Sequence, residues 1–282
     1  MSQFNQEVAA AQAFRRMAGP YARAIITVTP QGVYAVSVED LFVGHPLRHQ
    51  GCYNPQELNV LRSMCDAQTR LLVVGAHIGA LAIPLAKICR YVVAVEANPQ
   101  TFELLNLNVA LNHLTNFKAI GRAASNKAEP IEFVLNRSNS GGSKRKPAVH
   151  LENYFYDNPE VVKVDGARLD DLLPGEEFDV VLMDIEGSEY FALQGMQRIL
   201  GTVGVLQVEF LPHHLQYVAA VSVEDFVAVI EPHFSSMFVR TKNLLVPKDQ
   251  IAATLKGMYE RGEGDQGLIF LKAGRELPFI RK

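Results

Sequence analysis

The sequence has no tryptophan, only three cysteines and no excess of basic residues. Cys52, Cys65 and Cys89 lie far apart and form no CxxC pair. That excludes a disulfide framework or zinc knuckle and points to free thiols in a reducing compartment. Lys and Arg number 27 against 30 Asp and Glu, a formal net charge of −3, so no nucleic-acid partner is expected. A long uninterrupted apolar run is missing as well. The most apolar stretch, 71–89, is broken by His77, Pro84 and Lys87 and parses as strand, turn and helix, not as a membrane span. The first residues lack an apolar core and carry Glu7, so they do not read as a signal peptide. The expectation is a cytoplasmic protein with no membrane partner. What is present is 48% hydrophobic and 20% charged residues in a 282-residue chain, enough for one α/β domain with extensions.

The pattern predicts an N-terminal helix over 4–17 and a β-like run over 33–43. Asn54-Pro55-Gln56-Glu57 reads as a helix start, with Asn54 as cap, Pro55 in the first turn and Glu57 reaching back as in a capping box. Short apolar runs at 71–74, 91–95, 117–120, 178–183 and 203–210 fit strands buried on both faces of a parallel sheet. Helices are expected at 79–88, 99–112, 188–200 and 222–231, a short one at 169–173, and an added hairpin strand at 131–135. The stretch 136–160 is rich in Ser, Asn and Gly and reads as a long surface loop, with the basic run 144–146 solvated or facing an acidic substrate. The chain closes with strands at 237–246 and 268–272 joined by a polar segment. The division expected is 1–53 as a helical and β extension and 54–282 as the main domain, with 136–160 as a substrate loop. The alternation predicts an open α/β sheet with its ligand at the carboxyl ends of the strands.

Four motifs land at that edge. The run VVGAHIG, from Val73, places Gly75 directly after a strand and Gly79 four residues on. The spacing lacks the middle glycine that admits a pyrophosphate, so a single nucleoside fits better than a dinucleotide. Glu96 ends the next strand about 20 residues later, placed to accept from ribose hydroxyls. Asp184, Glu186 and Glu189 cluster after the fourth buried run. Asp184 suits an ammonium group of the ligand, and Glu186 or Glu189 a general base if burial raises its pKa. Glu189 is equally a routine first-turn acid. Glu209 ends the fifth run, with His213 and His214 behind it. A histidine there suits a base near neutral pH. Glu209 with His213 makes half of a metal site, but no HExxH-type spacing completes it, and no metal is expected.

The order of VVGAHIG, VVAVEANPQTFELLNLNVALN, RLDDLL, VVLMDIEGSEYFALQG and LQVEF resembles the FkbM-type family of S-adenosylmethionine-dependent methyltransferases, over about residues 50–246. DIEGSE before a helix ending in glycine, with LDDLL upstream, separates this family from class I methyltransferases at large. His77 stands where the family has asparagine. The resemblance implies a Rossmann-like class I methyltransferase fold, a seven-stranded mostly parallel sheet with one antiparallel strand and helices on both faces. It implies S-adenosyl-L-methionine as cofactor, with Gly75, Ala76, His77, Ile78 and Gly79 around its methionine part and Glu96 on the ribose. Ala97 and Asn98 would lie near the adenine, and Arg122, Ala123 and Ala124 on its other side. The acceptor would be a hydroxyl of a sugar or natural product, or else a peptide amide or amine. Glu186, Glu209 and His213 are the candidate bases, in no firm order. A nicotinamide oxidoreductase and a non-catalytic nucleoside-binding module are the alternatives from other classes.

Overall fold

The computed structural model describes residues 3–279. Helix α1 (Gln3–Ala18) leads into a hairpin of β1 (Ala24–Thr29) and β2 (Gly32–Ser37), followed by α2 (Gly44–Gln50) and α3 (Pro55–Ser63). The alternating part begins with β3 (Arg70–Val74), α4 (Ala82–Ala86), β4 (Tyr91–Glu96), α5 (Pro99–Leu111) and β5 (Phe117–Gly121). Next come four strands of a smaller sheet, β6 (Ala123–Ala124), β7 (Pro130–Leu135), β8 (Lys144–Arg145) and β9 (Glu160–Ala167). The chain then runs through α6 (Leu169–Leu172), β10 (Val180–Met183), α7 (Glu189–Gln194), α8 (Gln197–Thr202) and β11 (Val205–Phe210). It finishes with α9 (Val223–Ile230), β12 (Ser236–Val239), β13 (Leu244–Pro247), α10 (Lys248–Glu260) and β14 (Asp265–Leu271).

The main sheet has the order β13-β12-β14-β11-β10-β3-β4-β5. Strands β5, β4, β3, β10 and β11 run parallel, and β14 enters antiparallel to β11. Alternate side chains feed two cores. Leu72, Val74, Val93, Val95, Val181 and Met183 pack on one face, and Leu71, Val73, Val92, Ala94, Val180 and Leu182 on the other. Burial of both faces is why these strands read as unbroken apolar runs. The order reverses between β3 and β10, so their carboxyl ends open a cleft there.

Three expected helix starts are made. Asn54 Oδ1 accepts from Glu57 N, Asn98 Oδ1 from Gln100 N, and Ser222 Oγ from Asp225 N. Glu57 does not close a capping box. Its carboxylate is drawn instead to Arg240 Nη1 at 2.7 Å and to the Gln207 carboxamide, because a guanidinium satisfies it better than one backbone N–H.

Other expectations change. The helix at 79–88 shrinks to Ala82–Ala86, since the turn through Gly79 uses up its start. The run at 237–246 is a hairpin, β12 with β13, so an eighth strand extends the seven. The polar segment after it is helix α10, which buries Ile251, Leu255 and Met258. The stretch 136–160 is not a loose surface loop. Asn136, Ser138, Ser140, Ser143, Lys144 and Asp157 are all buried within it, and β8 pairs with β7. The N-terminal hairpin leans on α5 through side chains. Asn108 exchanges two hydrogen bonds with the Ala35 backbone, and Asn112 two with Val33. No helix among the described residues is long and apolar enough to cross a membrane.

Candidate active site

At the switch point β3 ends in Gly75, whose φ is +88°. A side-chain carbon there would lie 1.8 Å from the Asp184 carbonyl oxygen, so only glycine lets the two strand ends approach this closely. The next left-handed residue is His77, φ +52°. Its N–H donates to Glu96 Oε2 at 2.7 Å, and its Nε2 lies 2.7 Å from Ser140 Oγ. Ser140 Oγ in turn donates to Asp40 Oδ2 at 2.6 Å, and Asp40 Oδ1 accepts from Phe42 N and Val43 N. One histidine thereby ties together the glycine turn, the N-terminal segment and the insertion.

Two cavities meet here. The first encloses about 580 Å³, partly open to solvent, and is lined by Gly75, His77, Glu96, Ala97, Arg122, Ala123, Ala124, Ile131, Phe133, Arg145, Asp184 and Glu186 among others. The second, about 1290 Å³, lies on the other side of the turn, with Phe42, Tyr53, Asn54, Glu57, Leu61, Ala76, Gln207, Glu209 and Gln266 in its wall. Gly75, His77, Asp184 and Glu186 belong to both. Glu96 accepts from His77 N, Asn98 N and Thr101 Oγ1. A carboxylate has about four acceptor positions, so it keeps room for one ligand hydroxyl. Ile78, Gly79 and Asn98 face neither of these two cavities. Ile78 packs in the core with Tyr34, Val36 and Leu47. Gly79 serves the turn, with Ile83 and Leu105 against its open side. Asn98 is spent capping α5 and donating to Ser143.

The acids after β10 separate into distinct surroundings. Glu189 accepts from Ile185 N at 2.9 Å and Gly187 N at 3.0 Å, so it closes the loop it sits in. Glu186, in a left-handed conformation with φ +55°, pairs with Lys144 Nζ at 3.0 Å. Lys144 is only 6% exposed and lies 5.0 Å from the Tyr154 ring centroid. The basic run is therefore solvated only in part: β8 turns Lys144 inward while Lys146 pairs with Glu132 outside.

His213 is exposed. It is His214, at the start of a π-helical turn (His214–Ala219), that enters the cluster. Its Nε2 lies 3.5 Å from Glu186 and its Nδ1 3.3 Å from Glu209. Burial, then Lys144 and His213, push His214 down to about 2, and partial desolvation, then Lys144, lowers His213. Neither imidazole is poised for proton exchange near neutral pH. Asp184 opens onto the cavities yet sits deep among protein atoms; desolvation and then Glu186 raise its pKa well above the usual range. Glu209 is raised in the same way, by burial and then Asp184.

Burial lifts Glu189 to about 7, against the pull of its backbone hydrogen bonds. The folded chain then holds a proton that the unfolded chain has lost, across about pH 4.5–7, so this group's contribution to stability falls as pH rises through that window. In Glu189→Gln the fall in unfolding free energy between about pH 5 and pH 8 should shrink by on the order of 2 kcal/mol. An unchanged slope would mean that the carboxyl is ionised throughout.

The methyltransferase FkbM domain model matches residues 74–236, which is more than half of the chain and spans both the glycine turn and the acid cluster. The chain belongs to the FkbM methyltransferase family. The family is one of S-adenosylmethionine-dependent methyltransferases, and the sheet of this FkbM methyltransferase has the expected α/β architecture.

No curated protein matches the chain. Among solved structures it is similar to M. jannaschii TYW2 in complex with AdoMet, at 14% identity and a TM-score of 0.41 over 68% of this chain and 64% of that one. It is also similar to methyltransferase FkbM from Methylobacillus flagellatus KT, at 16% and 0.41 over 73% and 44%. A third is an rRNA methylase from Streptococcus thermophilus, at 11% and 0.43 over 77% and 95%. The chain thus spans less than two thirds of the first two, and at these values the likenesses carry no functional conclusion.

Lys144 enters the site although only its basic run marks it in the sequence, and His214 takes the place expected of His213. Strand β8 is only Lys144–Arg145, too short to show an alternation that would mark Lys144; nothing in the dipeptide His213-His214 distinguishes its two members.

Proposed function

We propose that this FkbM methyltransferase methylates a hydroxyl of a small polar acceptor, a sugar or natural product, with S-adenosylmethionine as donor. The observation that carries this reading is the shared wall: Gly75, His77, Asp184 and Glu186 line both cavities, so a donor in the first stands against an acceptor in the second. In the first cavity Glu96 would take a ribose hydroxyl, Ala97 and residues 122–124 would flank the adenine, and Gly75 and His77 would turn around the methionine part near Asp184, with Ala76 on the side of the second cavity.

The donor brings an already activated methyl group. The protein's work is therefore alignment and acceptance of the hydroxyl proton. Glu186 faces both cavities and, unlike Glu189, is not consumed by backbone donors. It is the group assigned to take that proton.

The second cavity supports a polyhydroxylated acceptor. Tyr53, Asn54, Gln207 and Gln266 offer donors and acceptors in its wall, and Gln207 Oε1 is buried without a partner. Burial, then Asp184, raises the Tyr53 pKa, which keeps its phenol a donor. The acids of its wall can also accept from a nitrogen, which supports the second reading, an amine or peptide nitrogen.

Melting the protein with S-adenosylmethionine, S-adenosylhomocysteine and NAD in parallel tests the cofactor. A hundredfold excess over Kd should add about 2.7 kcal/mol with the adenosyl ligands. A response to NAD alone would overturn the reading. Methyl incorporation into sugars and natural products, with peptides and RNA alongside, then tests the acceptor; labelling of RNA only would refute the small-molecule assignment.

A further inference from the structure

We propose that Glu186, Glu209 and His214 form a binding site for a divalent transition-metal cation in the wall of the second cavity. One ligand atom from each residue lies within 4.8 Å of the other two. The residues come from two separate loops, after β10 and after β11, so no short sequence spacing marks the set.

The decisive observation is a pair of stranded atoms. Glu209 Oε2 and His214 Nδ1 face each other at 3.3 Å. Glu209 is 7% and His214 4% exposed, and neither atom has a hydrogen-bond partner among the described residues. Buried polar atoms left in this way are costly. A shared proton would remove the cost only by making the hydrogen bond that the geometry lacks. A metal on Nδ1 removes it for this pair: bonds of about 2.0–2.1 Å at the tetrahedral angle place neighbouring ligands roughly 3.3 Å apart, and Glu186, which stands 3.5 Å from the other ring nitrogen, completes the set by turning its carboxylate toward Nδ1.

Charge points the same way. Asp184, Glu186, Glu189 and Glu209 gather here, and Lys144 is the ammonium that pairs within the group, at Oε2 of Glu186. A dication would offset part of the remaining negative charge, which is expensive to bury alone. One imidazole and two carboxylates suit Zn²⁺, Mn²⁺ or Fe²⁺ better than Mg²⁺. Binding itself does not depend on the acceptor assigned above. Its chemical meaning, a cation that lowers the pKa of an acceptor hydroxyl, does rest on that reading.

The test is calorimetric titration of the chelator-treated full chain with Zn²⁺ and Mn²⁺, and with Mg²⁺ in parallel. One-to-one binding is expected, at least about tenfold weaker for Mg²⁺ and at least about tenfold weaker in both Glu209→Gln and His214→Gln. No binding of any of the three up to about 1 mM, or binding unchanged in both variants, would overturn the site. Should a variant fail to fold, the electron spin resonance of bound Mn²⁺ decides: imidazole-nitrogen coupling supports the site, and its absence refutes it. Melting metal-free protein with S-adenosylhomocysteine keeps the two readings apart, since a clear cofactor response without cation binding refutes the metal site alone.

Discussion

Gly75→Ala is expected to abolish the rise in melting temperature that S-adenosylhomocysteine produces. The added carbon would lie 1.8 Å from the Asp184 carbonyl oxygen and 2.9 Å from Ile185 Cγ2. A backbone carbonyl cannot swing aside as a side chain can. The ends of β3 and β10 must separate, and they carry the wall between the two cavities. The left-handed φ of +88° adds about 1–2 kcal/mol for a non-glycine residue. Together these should lower the unliganded melting temperature by roughly 3–10 °C and weaken the cofactor by about a hundredfold or more, some 2.7 kcal/mol. Gly175→Ala is the control. It has a similar φ of +72° but nothing within 4 Å of the added carbon, so it should lose some stability and keep the full cofactor response. A normal response in Gly75→Ala would remove the glycine turn from the cofactor site.

Glu186→Gln should reduce kcat by about 10²–10⁴-fold, the range for losing a positioned proton acceptor, with cofactor affinity nearly unchanged. The substitution preserves shape but strands Lys144, a buried ammonium 3.0 Å away, so stability should fall as well. Measuring kcat under saturating cofactor, and cofactor Kd separately, divides the two effects. A loss in kcat of less than about tenfold would exclude Glu186 as proton acceptor. If the cation site exists, the same variant should also weaken the metal, and titration shows that independently of turnover.

The sheet was legible in the sequence because its central strands are buried twice over. Val73, Val92 and Val181 each face one of two cores, so the runs admit few other readings. Asn54 announced its helix because capping is local chemistry, and Asn98 and Ser222 cap theirs in the same way. The elements missed carry weaker signals. Strand β1 has Ile26 and Val28 largely exposed, so no core pattern marks it. Helix α10 holds its buried face at Ile251, Leu255 and Met258, a helical spacing diluted by polar neighbours.

The site divides along the same line. Gly75, Glu96, Asp184 and Glu186 sit at strand ends, where chain order already places them at one sheet edge. Lys144 and His214 reach the same cluster by tertiary packing. Whether His213 or its neighbour turns inward is set by the π-helical turn, and one extra residue per turn leaves no mark in composition. The segment 136–160 was misjudged for a similar reason. Its serines and asparagines look like loop residues, yet Ser138, Ser140 and Ser143 are buried and hydrogen-bonded.

The carboxamides of Asn108 and Asn112 have a kinetic consequence. A two-stranded hairpin alone opens readily in water. Here opening must also break four hydrogen bonds to α5 and its cap, made by the backbone of Val33 and Ala35, and leave the fully buried Asn108 amide with the Ile78 carbonyl alone. The hairpin and the helix therefore exchange their amide protons as one unit, and the slowest N–H groups of the N-terminal hairpin report the opening of α5.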